Sequence, residues 1–178
     1  MKYILNETPV RTSNNYGIND ISLDLELPEV RTFDNATFEI SSDDIEFNIE
    51  APEASLKSKI GLEIEKNYSV TLTVPEYVKV KEPIRVTFEF DEDNVSLVDN
   101  IKIVMEEGSS ARFIIEYLSN NNSQKFFHYL KQETIAKENS NVSIVIANLL
   151  NEKSDSFIAI ENNIKENAKV SHILAEFG

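Results

Sequence analysis

Apolar and polar residues alternate with period two at several places along the chain. Leu23, Leu25 and Leu27 alternate with Asp24 and Glu26 until Pro28 stops the run. Ile45–Phe47–Ile49, Val70–Leu72–Val74 and Ile84–Val86–Phe88–Phe90 follow the same rule. The last is close to an ideal half-buried strand, with Arg85, Thr87 and Glu89 on its wet face. Residues 1 to about 20 are polar and Asn-rich, with Gly17 and Asn19–Asp20 as turn signals. The only helical candidate is Ser123 to Thr134, where Phe126, Phe127 and Leu130 share a helical face. The pattern as a whole predicts an all-β chain.

A repeat sharpens that prediction. Glu107-Gly108-Ser109-Ser110-Ala111-Arg112-Phe113-Ile114-Ile115 aligns with Glu138-Asn139-Ser140-Asn141-Val142-Ser143-Ile144-Val145-Ile146. Glu166-Asn167-Ala168-Lys169-Val170-Ser171-His172-Ile173-Leu174 is a third copy. Lys66-Asn67-Tyr68-Ser69-Val70-Thr71-Leu72-Thr73-Val74 reads as a fourth, looser one. The second column, Gly108, Asn139, Asn167 and Asn67, holds the two residue types that best tolerate a left-handed backbone. It predicts a tight turn with positive φ. Mostly apolar positions follow three, five and seven residues later, as a strand leaving a fixed turn requires. The outer column Ile114, Val145 and Ile173 is apolar too, so part of the outer face is expected to be covered. The three close copies are spaced by 31 and then 28 residues. A parallel β-helix repeats one turn and one strand at such a spacing, because each coil lays its strand on the one before. A β-sandwich whose hairpins use Glu-Asn turns is the alternative. The chain divides into an irregular β-rich region over 1–55 and a β-helix core over 56–178.

Composition narrows the function. At 178 residues the chain is long enough for a core without staples. Seventeen basic against 31 acidic residues leave a net charge of −14, which argues against nucleic acid or an anionic membrane as partner. Cysteine is absent, which removes thiolate nucleophiles, disulfides and thiolate metal sites from this chain. No apolar run fits a signal peptide or a membrane-spanning helix, so the expected location is the cytoplasm.

Catalytic signatures are few. Glycines at 17, 61, 108 and 178 build no phosphate-binding loop and no nucleophile elbow. Asp91-Glu92-Asp93-Asn94 hints at a calcium loop. Val95 stands at its fifth position, Ser96 replaces the required glycine, and Lys102 occupies the place of the bidentate Glu. It reads as a solvated turn, as does Asp43–Asp44. His128 lies in the aromatic cluster Phe126-Phe127-His128-Tyr129 and reads as a packed imidazole. His172 occupies the column filled by Phe113, Ile144 and Leu72, so it should point where core residues point. No catalytic, cofactor-binding or metal-binding residue is assigned.

The segment Arg11-Thr12-Ser13-Asn14-Asn15-Tyr16-Gly17-Ile18-Asn19-Asp20 resembles the opening of small clostridial-type members of the SufB/SufD family. The repeats Val104 to Ile115 and Ile135 to Ile146 are similar to that family's core pattern, as is Phe157 to Ala168. The resemblance implies a right-handed parallel β-helix and a non-enzymatic scaffold or accessory subunit of iron–sulfur cluster assembly. It implies as partners an ABC-type ATPase, SufC, and a second SufB/SufD subunit, with a homodimer the simplest form. The family's cluster-building Cys, its His and Glu partners, and its ATPase-binding helices belong to a part with no counterpart before Gly178. The chain is therefore expected to correspond to the N-terminal part of such a protein, with no cofactor of its own and the cluster held by the full assembly. A β-helical carbohydrate-binding module or a purely structural repeat is the alternative.

Overall fold

A computed structural model describes residues 2–5, 21–24, 29, 31–43, 45–49, 55–57 and 63–177, and no helix occurs among them. The short strands come first: β1 (Lys2–Leu5), β2 (Ile21–Asp24), β3 (Ala36–Glu39), β4 (Glu46–Ile49), β5 (Ser55–Lys57) and β6 (Glu63–Glu65). The longer ones follow: β7 (Tyr68–Val74), β8 (Ile84–Phe90), β9 (Ser96–Met105), β10 (Ser110–Ser119), β11 (Phe127–Ala136), β12 (Asn141–Leu149), β13 (Asp155–Ile164) and β14 (Lys169–Glu176).

From β7 onward the chain alternates between two sheets. One has the order β13-β11-β9-β7-β4 and the other β14-β12-β10-β8-β3. Each coil is one strand in each sheet, and β7 to β14 make four coils. Every pairing between coils is parallel. Parallel neighbours need a long crossover, and here the opposite strand of the coil supplies it, so no helix is required. The expected parallel pairing of Val142–Ile146 with Ala111–Ile115 and Val170–Leu174 is present residue for residue. That decides for the β-solenoid over the sandwich. The strands β3 and β4 pair antiparallel with β8 and β7 and lie against the first coil. Two further antiparallel pairs are β1 with β2 and β5 with β6.

The strand patterns explain the core. In β8 the residues Ile84, Val86, Phe88 and Phe90 are fully buried while their neighbours are partly or fully exposed. Columns then run through the stack: Val86, Ile115, Ile146 and Leu174 on one sheet, and Val70, Ile101, Gln132 and Ile160 on the other. The helical candidate Ser123 to Thr134 is corrected, because most of it lies in β11. Phe127 and Tyr129 project from the face opposite to His128 and Leu130, yet all four are buried. A strand covered on both faces loses its period of two and reads as a continuous apolar run.

The turns repeat as expected at three of four positions. Gly108, Asn139 and Asn167 have φ of 62°, 56° and 56°. Each is the third residue of a turn closed by a backbone bond, such as Ser109 N to Glu106 O at 3.1 Å and Ser140 N to Lys137 O at 3.2 Å. Neighbouring turns are also joined, Gly108 N donating to Glu138 O at 2.9 Å and Asn139 N to Glu166 O at 3.0 Å, so the ladder continues around the corner.

The fourth copy is corrected. Asn67 is absent from the positive-φ residues, and β7 belongs to the other sheet, where it pairs with β9. The equivalent residue in the first coil is Tyr77, with φ of 61°. A bulky residue in that region is a genuine outlier, so the Gly/Asn column hid it. It also accounts for the one glycine in the column: a Cβ on Gly108 would lie 2.7 Å from Tyr77 Cδ1. Asn67 instead brackets two coils. Its Nδ2 donates to Ser96 O at 2.8 Å, and its Oδ1 accepts from Val98 N at 2.7 Å.

Candidate functional site

The interior changes character along the stack. In the first coil the inward residues are Tyr68, Val70, Leu72, Val74, Ile84, Val86, Phe88 and Phe90, with no charged group among them. The second coil introduces Asp99 beside Leu97, Ile101 and Ile103. The third adds His128, Gln132, Thr134 and Asn148. All five polar groups are buried. A buried polar group is costly unless it is hydrogen-bonded, and a buried carboxylate more so.

Partners converge on Asp99 from neighbouring strands. Tyr117, on β10, donates from Oη to Asp99 Oδ2 at 2.8 Å. His128, on β11, places Nε2 3.3 Å from Asp99 Oδ1. That approach is too oblique for a hydrogen bond, so both atoms are left without one. On its far side His128 Nδ1 lies 3.0 Å from Ser156 Oγ, on β13. The imidazole also packs on the Tyr117 ring, with centroids 3.8 Å apart. Asp99, Tyr117 and His128 have no exposed surface. Burial, and after it the Asp99 charge, holds the Tyr117 phenol well above its ordinary range. The same two causes push Tyr68 up to about 12. Both hydroxyls therefore keep their protons at physiological pH. Deeper in the third coil, Gln132 Nε2 donates to Thr134 Oγ1 at 2.8 Å.

The fourth coil is the outer layer of this stack. Its strands β13 and β14 are the end strands of both sheets. Ile164, Ile173, Leu174 and Phe177 are exposed there. His172 stands in register with the buried Ile144, as its column predicted, and is itself partly covered. Leu72 lies in the other sheet and is not part of that column. His172 Nε2 is 3.0 Å from Asn162 Oδ1, and burial lowers its pKa below the ordinary imidazole value. The outer column Ile114 and Val145 is half-buried, and Ile173 is exposed.

The acidic run is a turn. Asp91 Oδ1 accepts from Asn94 Nδ2, Asn94 N and Asp93 N at 2.8–3.0 Å, and Asn35 Nδ2 bonds its other oxygen. The bonds from Asn94 lead in lowering the pKa of this carboxyl. Asp43 lies in a turn, and Asp44 falls outside the described residues, as does the Arg11–Asp20 segment. Among the described residues no three His, Cys, Asp or Glu side chains are grouped to hold a metal ion. No described helix is long and apolar enough to cross a membrane.

The sequence reading placed His128 correctly in a packed aromatic setting and missed Asp99 and Tyr117. The signal was there: Asp99 interrupts the inward run of Leu97, Ile101 and Ile103 at a position where only a partnered acid is tolerated.

The geometry of parallel coils and the stretch that carries the polar interior coincide with a family match. The model for the SufBD core domain, of SUF-system Fe–S cluster assembly, matches residues 88–178. The chain belongs to the SufB/SufD family. The matched stretch begins near the end of β8 and takes in the second, third and fourth coils. No curated protein and no solved structure matches the chain at a significant level. Membership places this SufB/SufD protein in SUF-system iron–sulfur cluster assembly.

Proposed function

We propose that the chain serves the SUF machinery as a non-catalytic scaffold or accessory subunit in the cytoplasm. In this reading it acts with a SufC-type ABC ATPase, which supplies the energy-using chemistry, and with a second SufB/SufD subunit. The observation that carries the reading is the coincidence of the family match with a stack of parallel strands. A rigid frame of this kind positions other components and needs no nucleophile of its own. The exposed strands of the fourth coil, with Ile173 and Leu174 at their edge, support a subunit contact there, since unpaired backbone groups take up further strands. A homodimer is its simplest form. With no cysteine in the chain, the cluster belongs to the complete assembly.

Co-expression with the SufC-type ATPase tests the partnership. The expected outcome is co-purification of the protein with the ATPase, and separation of the two on a sizing column overturns it. Light scattering at micromolar concentration is expected to show a dimer. Anaerobic reconstitution with iron and sulfide is expected to leave no cluster absorption on this polypeptide. A stoichiometric visible band would show that the ligands lie within it.

A further inference from the structure

We propose that His128 is a tautomer relay connecting the sealed carboxylate of the second coil to the fourth coil. Asp99 accepts hydrogen bonds and donates none when ionised. One of its oxygens is occupied by the Tyr117 hydroxyl. The other faces His128 Nε2 at 3.3 Å, with both atoms buried and neither otherwise bonded. A nitrogen lone pair held this close to a carboxylate oxygen in a dry interior is repelled, whereas an N–H there is attracted. The proton of a neutral imidazole therefore resides on Nε2, and a small ring rotation completes the bond. A neutral imidazole has one N–H, so Nδ1 is an acceptor. Ser156, whose Oγ lies 3.0 Å away, must then be the donor.

The chain of donors is thereby ordered: Tyr117 gives to Asp99, His128 turns its Nε2–H toward the same carboxylate, and Ser156 gives to His128. Ser156 and Asp99 are two coils apart and share only the imidazole. Tyr117 from β10, Phe90 from β8, Ser156 from β13 and the register partner Leu97 from β9 face His128, and among the described residues Asp99 is the charged group recorded against the ring. Whatever changes Asp99 from acceptor to donor moves the His128 proton to Nδ1, and the Ser156 hydroxyl must turn around. By linkage the relay runs in both directions. A partner group that claims the Ser156 hydroxyl proton shifts the same equilibrium from the outer end, so the hydrogen-bond state of the core is readable at the fourth coil.

The test is ring-nitrogen NMR on the full chain labelled at histidine. His128 and His172 are the two histidines, and a His172→Gln variant assigns the signals. The expected spectrum near neutral pH has His128 protonated at Nε2 alone. A proton on Nδ1 alone, or on both nitrogens, overturns the relay without any variant at the network. Asp99→Asn is then expected to move the proton to Nδ1 and to speed amide exchange in β13. An unchanged tautomer in a folded Asp99→Asn protein also overturns it. Coupling gives a separate readout. The unfolding equilibrium constants of Tyr117→Phe and Ser156→Ala, which do not touch, should depart from multiplicativity by about threefold or more. Multiplicative effects sink the proposal, as does coupling that persists when His128 is replaced by Phe.

Discussion

The third and fourth coils carry nearly the same strand, Val142-Ser143-Ile144-Val145-Ile146 against Val170-Ser171-His172-Ile173-Leu174, paired in register. Their fates differ. Val142, Ile144 and Ile146 are buried, while Leu174 keeps 53% of its surface exposed. Burial in a solenoid is thus set by whether a coil lies on each side, and the alternation of the strand does not reveal it. The same alternation that builds the core also faces solvent in the outermost coil.

The largest effect expected from breaking this comparison comes from one substitution made at both levels of one column. Ile146→Ala should cost about 2–5 kcal/mol, as truncation of a sealed core side chain does. Leu174→Ala should cost about 1 kcal/mol or less, because much of the side chain is already in water. Chemical denaturation of the two variants measures the difference. Equal costs would mean that the fourth coil is sealed in solution, by self-association or by other parts of the chain.

The corners offer a second contrast. Asn139 and Asn167 tolerate positive φ through their own chemistry, whereas Gly108 answers to a neighbour. Gly108→Ala meets the left-handed penalty of about 1–2 kcal/mol, and its Cβ runs into the Tyr77 ring as well. In a Tyr77→Gly background the steric part disappears, and the Gly108→Ala penalty should fall to the backbone part alone. A penalty unchanged by removal of Tyr77 would show that the ring moves aside freely. Asn139→Gly, which keeps the left-handed backbone open at a cost in unfolded-chain entropy, is expected to change stability by about 1 kcal/mol or less. Thermal unfolding of the four variants resolves these steps.

Much of this was legible from the residues. The period of two, the Glu-Gly or Glu-Asn corner and the spacing of its copies were enough for parallel coils, because backbone geometry constrains them directly. The errors have physical causes. Asn67 mimicked a corner because asparagine serves equally as a left-handed turn residue and as a side-chain bracket. Tyr77 escaped because tertiary contact holds an unfavourable backbone angle that no propensity predicts. The Asp99–Tyr117–His128–Ser156 chain was unreadable because its members lie on four strands, and only the coil register brings them together.

The smallest expected effect separates the coils by charge. Ile144 cannot titrate, but its register partner His172 can, and partial burial lowers the His172 pKa below its ordinary value of 6.5. The sign follows from linkage. A group whose pKa is depressed in the folded state stabilises the fold fully only above its unfolded value, and that contribution is lost as pH falls through the folded value. Acidification from neutrality through and below pH 6.5 should therefore destabilise the native chain more than a His172→Gln variant. The remaining titratable groups are common to both proteins and cancel in the difference. The effect should be modest, since the ring is only partly covered and solvent screens its charge. Thermal midpoints measured in steps from pH 7.5 to 5 in both proteins give the comparison. Parallel curves would show that His172 is as well hydrated in the folded chain as in the unfolded one, and that the fourth coil covers it less than its Asn162 contact indicates.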